Sequence, residues 1–301
     1  MINRIGTRTG FESLMGLNQQ TLQRTYNLQI QISSGLKSQN YSGISDVSGR
    51  LVNFEGANAR LNQYLSDITV TRNRLQSAET QVDSIREMAN QFRTDLLNAL
   101  NAENDQFQPT AEIAKQFMDQ MESLLNTKDG DQYIFSGSRS DVAPVDLSAF
   151  STPINVGTPN TEYYQGDDYE AFSRVGEGRT VTYGTTANDP TFEKLIRAMR
   201  SVFNSPNDND NLRASLALVE EVAQKDIPAM ISGIGVKVAQ MDRIQDIHEQ
   251  NILILTNTIS EMKDTNIIDA SAKVSQENNI LQASFLALSK ISSISLANYL
   301  R

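Results

Sequence analysis

A mainly α-helical fold with one small β-rich insertion is predicted, its helices forming a long coiled-coil-like bundle in which the N- and C-terminal halves of the chain pair. Three observations carry this. Apolar residues recur at spacings of three and four over stretches longer than an ordinary globular helix. Glycine, proline, tyrosine and threonine crowd into one interval, residues 130–190. The helical texture on either side of it is alike, and each half carries a narrow apolar stripe that a lone helix cannot bury.

The first predicted helix runs from about Phe11 to Ile32, with Leu14, Leu17, Leu22, Leu28 and Ile32 as its stripe, and Ser33, Ser34 and Gly35 supply a stop. The turn formers of SQNYSGISDVSG, Ser38 to Gly49, predict an extended loop. A second helix follows from about Arg50 to Asn101, keeping its period through Leu51, Phe54, Leu61, Leu65, Ile68, Leu75, Val82, Ile85, Phe92 and Leu96 and tolerating Gly56. At this length it needs neighbouring helices for support. A third, from about Ala111 to Asn126, starts after Pro109 and Thr110, which lie where a helix-start signal belongs.

From Gly130 to Pro190 the runs YIFSGS, YYQG and TVTYGT read as strands divided by turns. Helical periodicity returns with Phe192, Leu195, Ile196 and Met199, and again from Leu212 to Val222 after the breaker SPNDNDN. A long final helical region spans about Ile234 to Arg301, with a break expected near Asp264 to Asn266. The domain layout that follows is 1–40 for an N-terminal helix, 41–129 and 191–265 for the two halves of a helical bundle, 130–190 for the β-rich insertion and 266–301 for a C-terminal helix.

Composition narrows the function. The 301 residues include no cysteine, no tryptophan and one histidine, His248, so thiol catalysis, thiolate metal sites and disulfides are excluded. A net charge of −10 repels phosphate backbones and anionic lipid surfaces, so neither nucleic acid nor membrane insertion is expected. The first twenty residues hold no apolar run of secretory-signal type, and the general secretory route is not expected.

No catalytic site, cofactor site or metal site is predicted. Gly176-Glu177-Gly178-Arg179 lacks the third glycine, lysine and following helix of a phosphate loop and reads as a hairpin turn. Asp208-Asn209-Asp210-Asn211 lacks the glycine and distal glutamate of a calcium loop and reads as a solvated turn with a helix N-cap. Asp167, Asp168 and Glu170 read as solvated carboxylates, and His248, without a second histidine or a nucleophile elbow, as a surface residue.

The informative segment is the last helix. Ile267, Ala270, Val274, Leu281, Leu288 and Ile291 keep a near-heptad seam that Glu277 and Ser284 interrupt. Ile280, Phe285, Leu286, Ile294, Leu296, Tyr299 and Leu300 lie outside that seam, and pairing with a single helix would leave them wet. Either this helix packs onto the protein's own core, or it presents an assembly surface buried between neighbouring subunits. The residues expected at such a surface are Leu14, Leu17, Leu22, Leu28 and Ile32 with Val274, Leu281, Phe285, Leu288, Ile291, Leu296 and Leu300.

Both ends of the chain resemble the bacterial flagellin family. Gln31-Ile32-Ser33-Ser34-Gly35-Leu36-Lys37 is similar to the segment that closes the N-terminal helix of those proteins, and SLANYLR, Ser295 to Arg301, to their C-terminus. Asp131-Gln132-Tyr133-Ile134-Phe135-Ser136-Gly137-Ser138-Arg139-Ser140-Asp141, with Pro144, resembles a strand and turn of the members that join hook to filament. The resemblance covers roughly 1–140 and 190–301. After Lys37 the chain reads SQNYSGISDVSGRL where the family commonly carries an aspartate-rich loop, so a filament flagellin stays the alternative to a junction subunit. The resemblance implies a non-enzymatic structural subunit, exported through the flagellum's own type III apparatus. Its implied partners are copies of itself, the other hook-associated junction protein, hook and flagellin subunits, and a cytoplasmic export chaperone on the C-terminal segment.

Overall fold

The computed structural model describes residues 2–101, 109–149 and 156–297, and the side chains of 9–101, 109–148 and 156–291. The chain divides into two compact units, Met1–Ala59 with Asn251–Arg301, and Arg60–Gln250.

The first unit is built on two long helices. α1 (Ile2–Ser34) ends at Gly35, whose φ of 72° is the left-handed conformation that closes a helix and that glycine adopts without strain. Its N–H returns to Gln31 O at 2.9 Å. α7 (Ile267–Ala297) starts at the expected break, where the Asn266 side chain accepts from the N–H groups of Ile268 and Asp269 at 3.1 and 3.2 Å. The Ser38–Gly49 loop is less extended than its composition predicts. Tyr41–Ile44 forms a single 3₁₀ turn that buries Ile44, and α2 (Ser48–Asn101) begins inside the predicted loop.

The second unit carries the larger core. Along α2, Leu75, Ala78, Val82, Ile85, Ala89, Phe92 and Leu96 are all buried at alternating three- and four-residue spacing. They join one cluster with α3 (Thr110–Leu125), α4 (Pro190–Asn204), α5 (Asn209–Glu221) and the first turns of α6 (Ile227–Lys263). A π-helical turn, Val222–Asp226, links α5 to α6. α4 packs against both α3 and α5, which explains why Phe192, Leu195, Ile196, Met199 and even Glu193 and Arg197 on its several sides are buried. The two charged residues form an ion pair at 3.1 Å, and they also hold the insertion: Glu193 accepts from Asn160 N, and Arg197 donates to Val156 O. Asp208 caps α5, as the sequence reading expects, and Asp189 caps α4 in the same way.

The insertion differs from the predicted strands. Arg179–Tyr183 (β4), overlapping TVTYGT, pairs antiparallel with Ala171–Gly176 (β3), a strand the sequence reading omits, and the turn between them is the Gly176–Arg179 segment. YIFSGS contributes only Tyr133: β2 (Gln132–Tyr133) pairs with β1 (Lys128–Asp129), and the chain then leaves the ladder because Phe135 is fully buried, edge-on to Phe192 at 5.7 Å. YYQG is not a strand. Tyr164 makes one bridge with Val145, while Tyr163 is buried with its hydroxyl donating to Ala187 O at 2.9 Å. Aromatic residues that look like strand formers act here as anchors that pin loops to α4.

His248 also departs from expectation. It is half-buried, with Nε2 2.7 Å from the Val175 carbonyl and its ring stacked on Tyr64. The contact follows from Met241 and Ile244, two turns and one turn earlier on α6, which share a small core with Val175 and Val181 of the hairpin and bring His248 alongside β3.

Candidate assembly surface

α1 and α7 form an antiparallel hairpin. Thr265 N–H donates to Gly35 O at 2.8 Å at the closed end, and Arg24 reaches Glu277 farther along, its Nε at 3.0 Å from Oε1 and its second nitrogen at 3.3 Å from Oε2. These two ties fix the register. It brings Leu14 level with Leu288, Asn18 with Ser284, Thr21 with Leu281, Thr25 with Glu277, Leu28 with Val274, and Ile32 with Ala270.

The seam is therefore a heptad on both sides, and on α1 half of it is polar. Asn18, Thr21 and Thr25 are 4%, 3% and 6% exposed, as deep as Ala270, Leu281 and Leu288 on α7. The threonine hydroxyls return to the backbone carbonyls four residues earlier, at 3.0 Å each, so they enter the seam without leaving a donor open. Asn18 Nδ2 is buried without a partner among the described residues. The two interruptions in the α7 seam, Glu277 and Ser284, lie level with the polar positions of α1, and Arg24 clamps Glu277 while donating to Thr21 Oγ1 at 2.9 Å.

The closed end is held by polar contacts. Lys37 N–H bonds Lys263 O at 2.8 Å, and its ammonium donates to the carbonyls of Glu261 and Met262, satisfying the last turn of α6. Tyr41 donates to Glu55 at 2.7 Å and Lys263 meets the same carboxylate at 3.1 Å. The Tyr41 hydroxyl and then Lys263 hold the Glu55 carboxyl below its ordinary range, while Glu55 pushes Tyr41 and Lys263 up. Ser34-Gly35-Leu36-Lys37 thus has a physical reading: helix stop, bridge to Asp264, helix cap.

The twelve residues expected at an assembly surface separate into groups. Leu14, Leu28, Ile32, Val274, Leu281, Leu288 and Ile291 are buried or half-buried seam positions of the chain's own hairpin. Leu17, Leu22 and Phe285 are 53%, 50% and 53% exposed. The Leu296 side chain and all of Leu300 lie outside the described residues.

The exposed set is larger than the sequence suggests. On α1, Phe11, Met15, Leu22 and Tyr26 are exposed and fall within about 60° of one another around the helix, beside the seam. On α7, Ile267 and Phe285 share one angular position, and Ile268 and Leu286 share another about 100° away. On α1 these side chains form one apolar row, and on α7 they form two apolar pairs, Ile267 with Ile268 and Phe285 with Leu286, five turns apart and separated by polar residues, whereas scattered single residues would need no explanation. The signal that locates them is the complement of the 4-3 heptad once its polar members are admitted.

Within the described residues no helix is long and apolar enough to cross a membrane, and no group of three or more metal-ligating side chains converges. Asp167 is engaged structurally: it accepts from Ser138 N at 2.7 Å, from the Ser138 hydroxyl and from Tyr169 N at 3.2 Å, and the Ser138 contacts hold its carboxyl below the usual range. Asp168 accepts from Asn188.

No protein-family model matches the chain, and no curated protein matches it. Solved structures do. A flagellar hook-associated protein from Vibrio parahaemolyticus aligns with a TM-score of 0.61 at 23% identity, over 74% of this chain and 100% of its own. FlgL from Bacillus cereus aligns at 0.54 and 17%, over 69% and 99%, and FlgL from Xanthomonas campestris at 0.52 and 13%, over 69% and 99%. The chain has the fold of flagellar hook-associated proteins.

Proposed function

We propose that this protein is a structural subunit of the bacterial flagellum, placed between hook and filament, that assembles through the exposed side of its α1–α7 hairpin. One observation carries the reading: the hairpin satisfies its own seam with Leu28, Val274, Leu281 and Leu288 and still leaves a row of large apolar side chains on α1 and two apolar pairs on α7 in water. A monomer gains nothing from exposing Phe285, Leu286 and Ile268 on one helix, whereas a subunit packed between copies buries them. Contacts of this kind, between different patches of neighbouring subunits, propagate along a helical array. The likeness to hook-associated folds supports placing that array in the flagellum.

The mechanism is geometric. The hairpin supplies rigid apolar rows, and the polar layers of its seam set one register so that the rows of successive subunits meet in phase. The β insertion belongs to the other unit. The same rows need masking before assembly, which is the role proposed for an export chaperone on the C-terminal segment, with export through the flagellum's own apparatus. Immunogold electron microscopy of flagella sheared from the native cells tests the reading. A narrow labelled band between hook and filament is expected. Label along the whole shaft would make the chain a filament flagellin, and unlabelled flagella would leave the hairpin to an adaptor protein.

A further inference from the structure

The second unit contains a cavity of about 200 Å³ between α2 and the β insertion that the assembly reading does not use. Its floor is apolar, from Leu75 and Ala78, and its walls carry the side chains of Arg74, Tyr169, Tyr183 and Thr186. Three features mark it as built for a ligand. In a chain of net charge −10, no aspartate or glutamate lines it, and its one charged residue is Arg74. No hydrogen bond or ion pair within the described residues engages that half-buried guanidinium, although α2 elsewhere pairs Arg72, Arg86 and Arg93 with carboxylates. The hydroxyls of Tyr169, Tyr183 and Thr186 are likewise unengaged among the described residues.

We propose that this cavity binds a small hydroxylated carboxylate about the size of one sugar ring, such as a uronic acid. A planar guanidinium with its fork free selects a carboxylate, and does so bidentately. The surrounding hydroxyls match ligand hydroxyls, and the tyrosine rings and apolar floor suit the apolar side of a sugar ring. The volume equals that of about seven liquid waters, enough for one ring and too small for a nucleotide. The wall at Gly137 is fixed by Asp167, which accepts from Ser138 and from Tyr169 N, and Asp167 is not among the residues that line the cavity.

The test is titration of the full chain with sodium glucuronate, followed by isothermal calorimetry and amide chemical shifts. Saturable binding is expected, with shifts at residues 74–78 and 183–186, weakened at least tenfold in Arg74→Gln and severalfold in Tyr183→Phe, whose ring and backbone are unchanged. Glucose tests the carboxylate and acetate tests the hydroxyls; each is expected to bind at least tenfold more weakly than glucuronate. The proposal is overturned by absence of saturable glucuronate binding, by equal binding in Arg74→Gln of unaltered circular dichroism, or by glucose or acetate binding as well as glucuronate. This outcome is independent of where the subunit sits in a flagellum.

Discussion

Truncating Phe285 to alanine separates assembly from folding. The ring is 53% exposed in the subunit. A fully buried phenylalanine removes about 200 Å² from water, so about 100 Å² is left for a neighbour to cover. At about 25 cal/mol per Å² that burial is worth about 2.5 kcal/mol, of which alanine keeps a small part. The loss of about 2 kcal/mol corresponds to roughly thirtyfold weaker association. Leu281, one turn earlier and 7% exposed, is the internal control. Its truncation to alanine opens the α1–α7 seam and is expected to cost the hairpin about 2–3 kcal/mol. The assay is half-maximal incorporation of purified subunits onto sheared hooks, read beside amide exchange protection of α1 and α7. Phe285→Ala is expected to raise the half-maximal concentration about thirtyfold with protection unchanged, and Leu281→Ala to lower protection directly. Wild-type incorporation of Phe285→Ala, or a loss of protection matching that of Leu281→Ala, would refute the assignment of the exposed rows to assembly.

Four further expectations follow from individual contacts. Asn18→Leu removes a buried amide nitrogen without a partner among the described residues and adds apolar contact, so exchange protection of α1 should rise by about 1 kcal/mol, and a fall would show that the polar layer is satisfied. Tyr163→Phe deletes the hydroxyl that holds Ala187 O and is expected to cost the second unit about 1 kcal/mol in denaturant melts, an unchanged midpoint counting against the anchor role. Gly137→Ala places a methyl group against the carboxyl and carbonyl oxygens of Asp167 at a φ of 70° and should destabilise the insertion by at least about 1 kcal/mol; a melt like wild type would contradict that geometry. The Tyr41–Glu55–Lys263 contact gives the closed end of the hairpin a pH window. Glu55, with its folded pKa depressed, contributes above its unfolded value of about 4.3 and loses that as pH falls through the folded value. Tyr41 and Lys263, raised, contribute fully below about 10 and lose it as pH climbs through their folded values. Exchange protection near Lys37 should therefore fall at both extremes, and Glu55→Gln should flatten the profile; a profile unchanged in Glu55→Gln would remove the carboxylate from the explanation.

Much of the fold was legible because long helices write themselves in periodicity. The 4-3 recurrence along Leu75–Leu96 and Ala270–Ile291 is a local property, and so are the caps at Asp189, Asp208 and Asn266 and the stop at Gly35. The strands were poorly legible. YIFSGS and YYQG have strand composition, but Phe135 and Tyr163 bury against α4 and the Ala187 carbonyl, and burial outweighs the few ladder hydrogen bonds a short strand offers.

The candidate site was half legible. A search for apolar residues finds Leu14, Leu28, Leu281 and Leu288, yet it merges them with Leu17, Leu22 and Phe285, which share their chemistry and differ only in which way they face. Asn18, Thr21 and Thr25 escape such a search because they are polar, and only the register set by Arg24–Glu277 and Gly35–Thr265 reveals that they complete the α1 heptad. The amino-acid sequence by itself determined where the helices run, where they stop, and that their stripes demand partners, since those depend on neighbours within one or two turns. Which residues close the hairpin and which are left for another molecule was decided by the tertiary structure, because burial is a property of pairs of elements brought together from opposite ends of the chain.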